Sequence, residues 1–321
     1  MPLFAIGDIH GCVEELDELI RQLPLTSESM LVFLGDYIDR GPSSRGVIER
    51  LIELKRKYRV MALRGNHEAM LLEFLDGRDP GRCARFILNG GSATLAEYAD
   101  ANGSYVFPPE HLEFLNGLPI SYESEGQYFV HAGVPDIKLR EIDLNEHADL
   151  MMWTRRRFHR STFRWEKMIV HGHSPVDTIE VAPNRINLDT GCVYRNCLSA
   201  MEFPSHRVYS VEHHGGFNRP LLQDGTRRAA VRFRGRIPVQ LDNEGERIHF
   251  ESVDYSEIGL GIRSLVQTGR IDLSLGREVV GSIGEGTLQL AFRGKVERFT
   301  RTPYEEVIGL SIEVLPAKDE P

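Results

Sequence analysis

The sequence predicts an α/β domain of mixed sheets flanked by helices, followed by a small all-β barrel. Three observations carry this. Short apolar strands alternate with amphipathic helices over the first third of the chain. Strand-like segments dominate from about residue 120 to residue 212. Beyond a polar stretch near residue 220, β-type segments alternate with glycines and no helical period survives. A length of 321 residues accommodates two such domains.

Leu3–Ile6 reads as a buried strand, and Val13, Leu16, Leu19, Ile20 and Leu23 mark one face of the helix behind it. Met30–Leu34 is the next strand, Val47, Ile48, Leu51 and Ile52 mark the next helix, and Arg59–Leu63 is the third strand. This βαβαβ order predicts a mostly parallel, covered sheet. Residues 70–120 read as helical and loop-rich, with Pro109 at a helix start ahead of Leu112, Leu115 and Leu118. Strands return at Gln127–Val130, Lys167–Val170, Arg185–Leu188, Leu198–Phe203 and Arg207–Val211. The stretch His213–Thr226 is polar, broken by Gly215, Gly216 and Pro220, and reads as a linker. After it come Ile237–Leu241, Ile248–Ser252, Gly259–Ser264, Glu278–Val280, Leu288–Phe292, Lys295–Thr300 and Val307–Val314, a pattern that predicts a small barrel. The domains are expected at 1–215 and 226–321, joined by residues 216–225.

Hydrophobic residues make up 41% and charged residues 26%, which excludes a disordered or fibrous chain. The net charge of −9, from 47 acids against 38 Lys and Arg, argues against a general nucleic-acid binder. No apolar run approaches the ~18–20 residues that span a bilayer. The N-terminal run runs straight into Gly7-Asp8 and does not read as a signal peptide. Cysteines at 12, 83, 192 and 197 form no CxxC pair, which argues against a disulfide framework or a structural zinc site and fits a reducing cytoplasm.

Three predicted strands end in chemically loaded loops: Gly7-Asp-Ile-His-Gly11, Gly35-Asp-Tyr-Ile-Asp-Arg-Gly41 and Arg64-Gly-Asn-His-Glu68. Two more strands run into His131-Ala-Gly133 and His171-Gly-His173. Open α/β sheets bind ligands outside the carboxyl ends of their strands, so these loops are expected to converge on one crevice. Singly, each loop reads as a turn or helix start. Five in one order, each after an apolar strand, argue for a common site. Asp, Asn and His without a thiolate suit Mn²⁺, Fe or Zn²⁺, and two such ions can clamp both oxygens of a phosphoryl displacement.

The stretches GDIHG (7–11), GDYIDRG (35–41), LRGNHE (63–68), VHAG (130–133) and VHGHS (170–174) resemble the phosphoprotein phosphatase branch of the calcineurin-like metallophosphoesterases, over roughly residues 1–205. Asn89-Gly90-Gly91, Trp153-Thr154-Arg155 and Asn187–Gly191 are similar to a bacterial sub-branch. The resemblance implies a metallophosphoesterase sandwich and two divalent ions, Mn²⁺ first, Fe or Zn²⁺ as alternatives. It implies that Asp8 and His10 hold the first ion, Asp36 both, and Asn66, His131 and His173 the second. Arg40 and Arg155 are expected to grip phosphate oxygens, His67 to protonate the leaving oxygen, and Asp39 to orient His67. The implied nucleophile is a metal-bridging hydroxide, attacking directly without a phosphoenzyme. Asp39 and Glu68 follow the protein-phosphatase form of the motifs, so phosphorylated Ser or Thr on proteins is the expected substrate. The alternative is a dinucleoside polyphosphate of the diadenosine tetraphosphate type, or another small phosphoester. A catalytically silent effector is the second alternative, opposed by the intact ligand positions. Around this set, His171 reads as a packed or second-tier histidine, Arg156 and Arg157 as solvated helix charges, His213 and His214 as linker surface, and Cys12 and Cys192 as small residues with no role.

Residues 227–236 hold five arginines and no acid, an anion-binding signal in an acidic chain. Together with Asp254-Tyr-Ser256-Glu-Ile-Gly259 they resemble a PilZ domain, a bacterial receptor for cyclic di-GMP, over about residues 226–315. The resemblance implies that Arg228 and Arg232 (or Arg232 and Arg236) clamp the ligand's phosphates and guanines, with Asp254, Ser256 and Gly259 on the barrel. Cyclic di-GMP is then the expected regulatory ligand, with activation the favoured sign.

Overall fold

Strand β1 (Leu3–Ile6) pairs in parallel with β2 (Met30–Phe33), and β2 with β3 (Arg59–Ala62), as the βαβαβ order predicts. The computed structural model describes residues 2–102, 104–214, 233–234, 237–243, 246–256, 259–264, 273–284, 289–301 and 306–315. The chain divides into two compact units, Met1–Leu72 with Ala93–Phe217, and Glu73–Ser92 with Asn218–Pro321.

In the first unit, helices α1 (Val13–Gln22) and α2 (Ser44–Lys57) follow the first two strands. Each buries the apolar positions that mark its period, Leu16, Leu19 and Ile20 in α1, Val47, Ile48 and Leu51 in α2. Helix α3 (Asn66–Asp76) starts directly after β3. After α4 (Pro80–Phe86), which belongs to the second unit, the first unit continues with α5 (Ser92–Tyr98) and α6 (Pro109–Asn116), the last opening on Pro109 as expected. Strands β4 (Ser121–Glu123), β5 (Gln127–Val130), β6 (Met168–His171), β7 (Glu180–Val181) and β8 (Arg185–Asn187) form a second sheet in the order β4-β5-β6-β8-β7. Between its strands lie α7 (Leu144–Trp153) and α8 (Arg156–Arg160). Strands β9 (Cys197–Phe203) and β10 (Val208–Glu212) return to the first sheet, ordered β10-β9-β1-β2-β3.

Both sheets are mixed. β9 runs antiparallel to β1, β4 antiparallel to β5, and β5, β6 and β8 are parallel. One core joins them: Ala5, Val32, Leu34 and Met201 of the first sheet pack with Phe129, Val170 and Ile186 of the second. All seven are at most 2% exposed, so burial of this layer favours the packing of the two sheets.

The second unit contains β11 (Phe233–Arg234), β12 (Pro238–Asn243), β13 (Glu246–Ser256), β14 (Gly259–Ser264), β15 (Glu278–Ile283), β16 (Leu290–Arg301) and β17 (Glu306–Val314). All their pairings are antiparallel, and the β13–β14 pairing closes six strands into a barrel. Its interior follows period two, with Val239 and Leu241, Leu260 and Ile262, and Ile308, Leu310 and Ile312 buried. The expected segments Leu288–Phe292 and Lys295–Thr300 are one strand, β16, which carries a bulge between Val296 and Arg298. Among the described residues, no helix is long and apolar enough to cross a membrane.

Candidate active site

The five motif loops meet at the carboxyl ends of β1, β2, β3, β5 and β6. Backbone bonds zip the first two together: the N–H groups of Ile9 and His10 donate to Asp36 O at 3.1 and 2.8 Å, and Gly11 N–H donates to Tyr37 O at 2.8 Å. Gly172 N–H donates to His131 O at 2.8 Å and joins the last two. Holding side chains inward this way strains the chain. Among the described residues seven non-glycines have positive φ, and His10, Asp36, Asp39, Arg40 and His173 are five of them. Such clustering of left-handed residues is characteristic of sites where geometry is over-determined. Two motif glycines answer the crowding. A Cβ on Gly65 would lie 2.1 Å from Asp36 Oδ1, and one on Gly172 would lie 2.0 Å from Asp8 Oδ1.

Asp36 stands at the centre. His10, Asp36 and His67 form one close group of ligand atoms, and Asp36, His131 and His173 form another, all buried. Asp36 Oδ2 lies 3.5 Å from His10 Nε2, and Asp36 Oδ1 lies 3.4 Å from His131 Nε2. Asn66 Oδ1 is 2.9 Å from His131 Nε2, and His173 Nδ1 is 3.1 Å from that same nitrogen. Asp8 is outside both groups. Its Oδ2 accepts the His173 N–H at 3.0 Å, while its Oδ1 is buried with no hydrogen-bond partner.

These residues fit divalent ions. The Nδ1 of His10 faces Ile38 O at 2.8 Å and the Nδ1 of His131 faces Leu34 O at 2.9 Å. A carbonyl only accepts, so each Nδ1 carries the hydrogen and each Nε2 turns a lone pair to the cluster, the arrangement metal-binding histidines use. The site therefore gathers lone pairs of Asp8, His10, Asp36, Asn66 and His131 with too few donors among them. Electrostatics agree. Burial, then the charges of Asp189 and Asp36, push the Asp8 carboxyl well above its usual range. Burial alone would raise Asp36, but His131, His67 and His10 reverse this and hold it well below. Burial and Arg40 lower His10 to about 3, keeping its imidazole neutral as a ligand must be.

The remaining predicted residues surround this cluster. His67 Nδ1 donates to Asp39 Oδ2 at 2.6 Å, and Asp39 Oδ1 accepts from Thr94 Oγ1 at 2.5 Å. His67 Nε2 lies 3.9 Å from Asp36 Oδ2. Arg40 Nη1 lies 2.9 Å from His10 Nε2, and Arg155 Nε donates to His173 Nε2 at 3.0 Å. One guanidinium thus flanks each close group.

Three residues support the site in ways that the motifs do not show. Thr94 holds Asp39 and carried no motif signal. Glu68 accepts backbone N–H groups of Asp36, Tyr37 and Gly65 at 2.8–2.9 Å, so it builds the loops rather than facing a substrate. Asp189, buried, accepts the Gly191 N–H at 3.0 Å, and its charge bears on Asp8. His171 is packed edge-on against Phe158 and His159 and is no part of the cluster. Arg156 and Arg157 are exposed, as expected. His213, expected on a linker surface, is instead buried against Glu15 at 2.8 Å.

In the second unit, Asp254 lies on β13 opposite Gly261, and Ser256 opposite Gly259. Arg228, Arg232 and Arg236, with linker residues 216–225, lie outside the described residues.

Comparison with known proteins agrees with this geometry. Residues 1–216 match the family model for calcineurin-like phosphoesterases. The chain is 32% identical over 238 residues to the asymmetrical bis(5'-nucleosyl)-tetraphosphatase PrpE of Bacillus velezensis, covering 64% of this chain and 91% of that protein. It is 29% identical to the protein of the same name from Oceanobacillus iheyensis, covering 66% and 92%. A solved structure provisionally named a diadenosine tetraphosphatase superposes with a TM-score of 0.52 at 25% identity, covering 67% of this chain and 95% of that one.

Proposed function

The chain belongs to the calcineurin-like phosphoesterases and is a metal-dependent phosphoester hydrolase; from that premise we propose that its substrate is a dinucleoside polyphosphate, cleaved asymmetrically, rather than a phosphoprotein. The observation that carries this is the similarity to bis(5'-nucleosyl)-tetraphosphatases along nine-tenths of their length. The motif form that favours protein substrates weighs less, because Glu68 is engaged with backbone N–H groups and has no acceptor turned to a substrate.

Asp8, His10 and Asp36 would hold one ion, and Asp36, Asn66, His131 and His173 the other. Bound there, divalent ions supply Lewis-acid polarisation of phosphoryl oxygens and an attacking water acidic enough to react near neutral pH. Arg40 and Arg155, one beside each close group, bind non-bridging phosphate oxygens through their forked N–H donors. A chain of several phosphates offers both guanidinium groups a partner. His67 delivers a proton to the leaving oxygen from Nε2, with Asp39 holding Nδ1–H at 2.6 Å. Burial, then the charge of Arg40, oppose the charged imidazole and hold the His67 pKa well below its ordinary value.

We also read the barrel as a cyclic di-GMP-binding PilZ domain. Supporting this, β11 is paired along β13 with Phe233 opposite Tyr255 and Arg234 opposite Asp254. The stretch immediately after Arg232 therefore runs beside the start of the Asp254–Gly259 motif; Arg228 and Arg232 lie outside the described residues, and their part in binding rests on the resemblance.

The test supplies Mn²⁺-loaded protein with diadenosine tetraphosphate and with a phosphopeptide, separating products by anion exchange. ATP plus AMP is the expected result. Two ADP would reverse the cleavage mode, and turnover of the phosphopeptide alone would return the substrate to phosphoproteins. Calorimetry with cyclic di-GMP on the wild type and on Arg232→Ala tests the barrel, with binding expected only in the first.

A further inference from the structure

A second cluster of metal-ligand side chains lies apart from the catalytic loops. Cys12 immediately precedes α1 and Glu15 lies in its first turn. Cys192 follows Gly191, and His213 follows β10. These four residues each offer one ligand atom, and the four atoms lie within 4.8 Å of one another. Cys12, Glu15 and Cys192 are 0%, 4% and 1% exposed, and the His213 side chain is 7% exposed. All four belong to the first unit.

We propose that Cys12, Cys192, His213 and Glu15 form a structural zinc site distinct from the catalytic ions. The donor chemistry is the argument. Two thiolates, an imidazole and a carboxylate make a soft, closed set of four, which zinc takes up tetrahedrally. The catalytic cluster, in contrast, has only oxygen and imidazole donors. Bonds of ordinary length to one zinc set ligand atoms about 3.3–3.8 Å apart, so a pair at the 4.8 Å limit must close by about 1–1.5 Å and the His213–Glu15 pair at 2.8 Å must open by about 0.5 Å. His213 faces Glu15 Oε1 at 2.8 Å and offsets part of the cost of burying that carboxylate, and the two thiols complete the donor set around the pair. Glu15 Oε1 also accepts the His214 N–H at 3.0 Å, an outer bond that fixes its orientation, while its other oxygen can turn to the ion. The zinc would tie three places that are far apart in sequence: the loop carrying His10, the turn after Asp189-Thr190-Gly191, and the end of β10. The lack of a CxxC pair concealed it, because its two cysteines come from opposite ends of the first unit.

The test uses full-length protein produced in cobalt medium. Thiolate-to-cobalt charge-transfer absorption is expected in the wild type and in Asp36→Asn, because oxygen and imidazole ligands at the catalytic centre cannot give it. Cys12→Ala and Cys192→Ala should lose the band, and Cys83→Ala should keep it. A wild type without the band, or a band that survives in both Cys12→Ala and Cys192→Ala, overturns the site. Should either variant fail to fold, X-ray absorption at the zinc edge of the wild type decides: two sulfur scatterers support the site, and none refutes it. A disulfide between Cys12 and Cys192 in freshly purified protein would refute it as well.

Discussion

Glu68 and Asp36 are joined through the backbone: Glu68 Oε2 accepts the Asp36 N–H at 2.9 Å and the Gly65 N–H at the same distance, while Asp36 Oδ1 accepts the His67 N–H at 3.1 Å. Glu68 Oε1 accepts the Tyr37 N–H at 2.8 Å. The loops after β2 and β3 are thus cross-braced by two carboxylates, each serving the other's loop. Glu68→Gln replaces one acceptor with an NH₂ group facing a backbone N–H. A buried donor left unsatisfied costs about 1–3 kcal/mol. The expected outcome is a lower thermal midpoint together with weaker metal retention, since Asp36 shifts with its loop. Calorimetric melting and elemental analysis check both, and an unchanged midpoint would show that the brace is dispensable.

Asp36→Asn acts on the centre itself. The carboxylate is the one group shared by the two close groups, and its charge is opposed by burial but held by three histidines. An amide keeps the shape and removes the charge. Metal content should fall and hydrolysis should nearly vanish, with the fold intact by circular dichroism. Two catalytic ions per chain at wild-type turnover would remove Asp36 from the bridging role.

That five loops converge was legible because each is a short motif after an apolar strand; the choice of Asp8, His10, Asp36, Asn66, His67, His131 and His173 within them rests on the family resemblance. What was not legible depends on closure over long separations. Thr94 meets Asp39 across 55 positions, and His214 meets Glu15 across 199. No local pattern encodes either contact. Glu68 differs: the motif marks it as a substrate signal, whereas its oxygens are engaged with backbone N–H groups. In the fold, β4 and β7 are only three and two residues long and carry too little apolar period to be seen. β16 reads as two segments in the sequence because Gly294 interrupts its pattern, although the strand passes through it.

Glu97 provides a pH signature. Its carboxylate accepts the Ser44 N–H at 2.7 Å and the Arg45 N–H at 3.1 Å at the start of α2. Burial nevertheless raises its pKa from 4.5 to about 7, the two backbone bonds opposing. Between those values the folded chain keeps a proton that the unfolded chain has released. The contribution to stability is therefore complete below pH 4.5 and is lost as pH rises through about 7. Glu97→Gln stays neutral throughout. Relative to wild type it should gain on the order of 1 kcal/mol between acid and neutral pH, a figure reduced for the side chain's partial exposure. Urea unfolding of both proteins from pH 4.5 to 8 measures it, and parallel curves would assign the pH dependence elsewhere.

His67→Asn separates proton delivery from metal binding. His67 Nδ1 is held by Asp39 at 2.6 Å, Thr94 fixes the far side of that carboxylate, and His67 Nε2 lies 3.9 Å from Asp36 Oδ2. The ring can therefore serve as an oriented acid or, grouped with His10 and Asp36, as a ligand. The two roles differ in what the substitution removes. As the acid, His67 contributes about 10²–10⁴-fold on leaving groups that need a proton. The loss should be largest on alkyl phosphates and much smaller on both dinucleoside polyphosphates and p-nitrophenyl phosphate, whose leaving groups are already acidic. Metal content should stay at the wild-type value. Kinetics on the three substrates, run alongside elemental analysis, give the answer. An equal loss on all three with metals retained would deny His67 the acid role, and a loss of metal would move it into the ligand group beside His10.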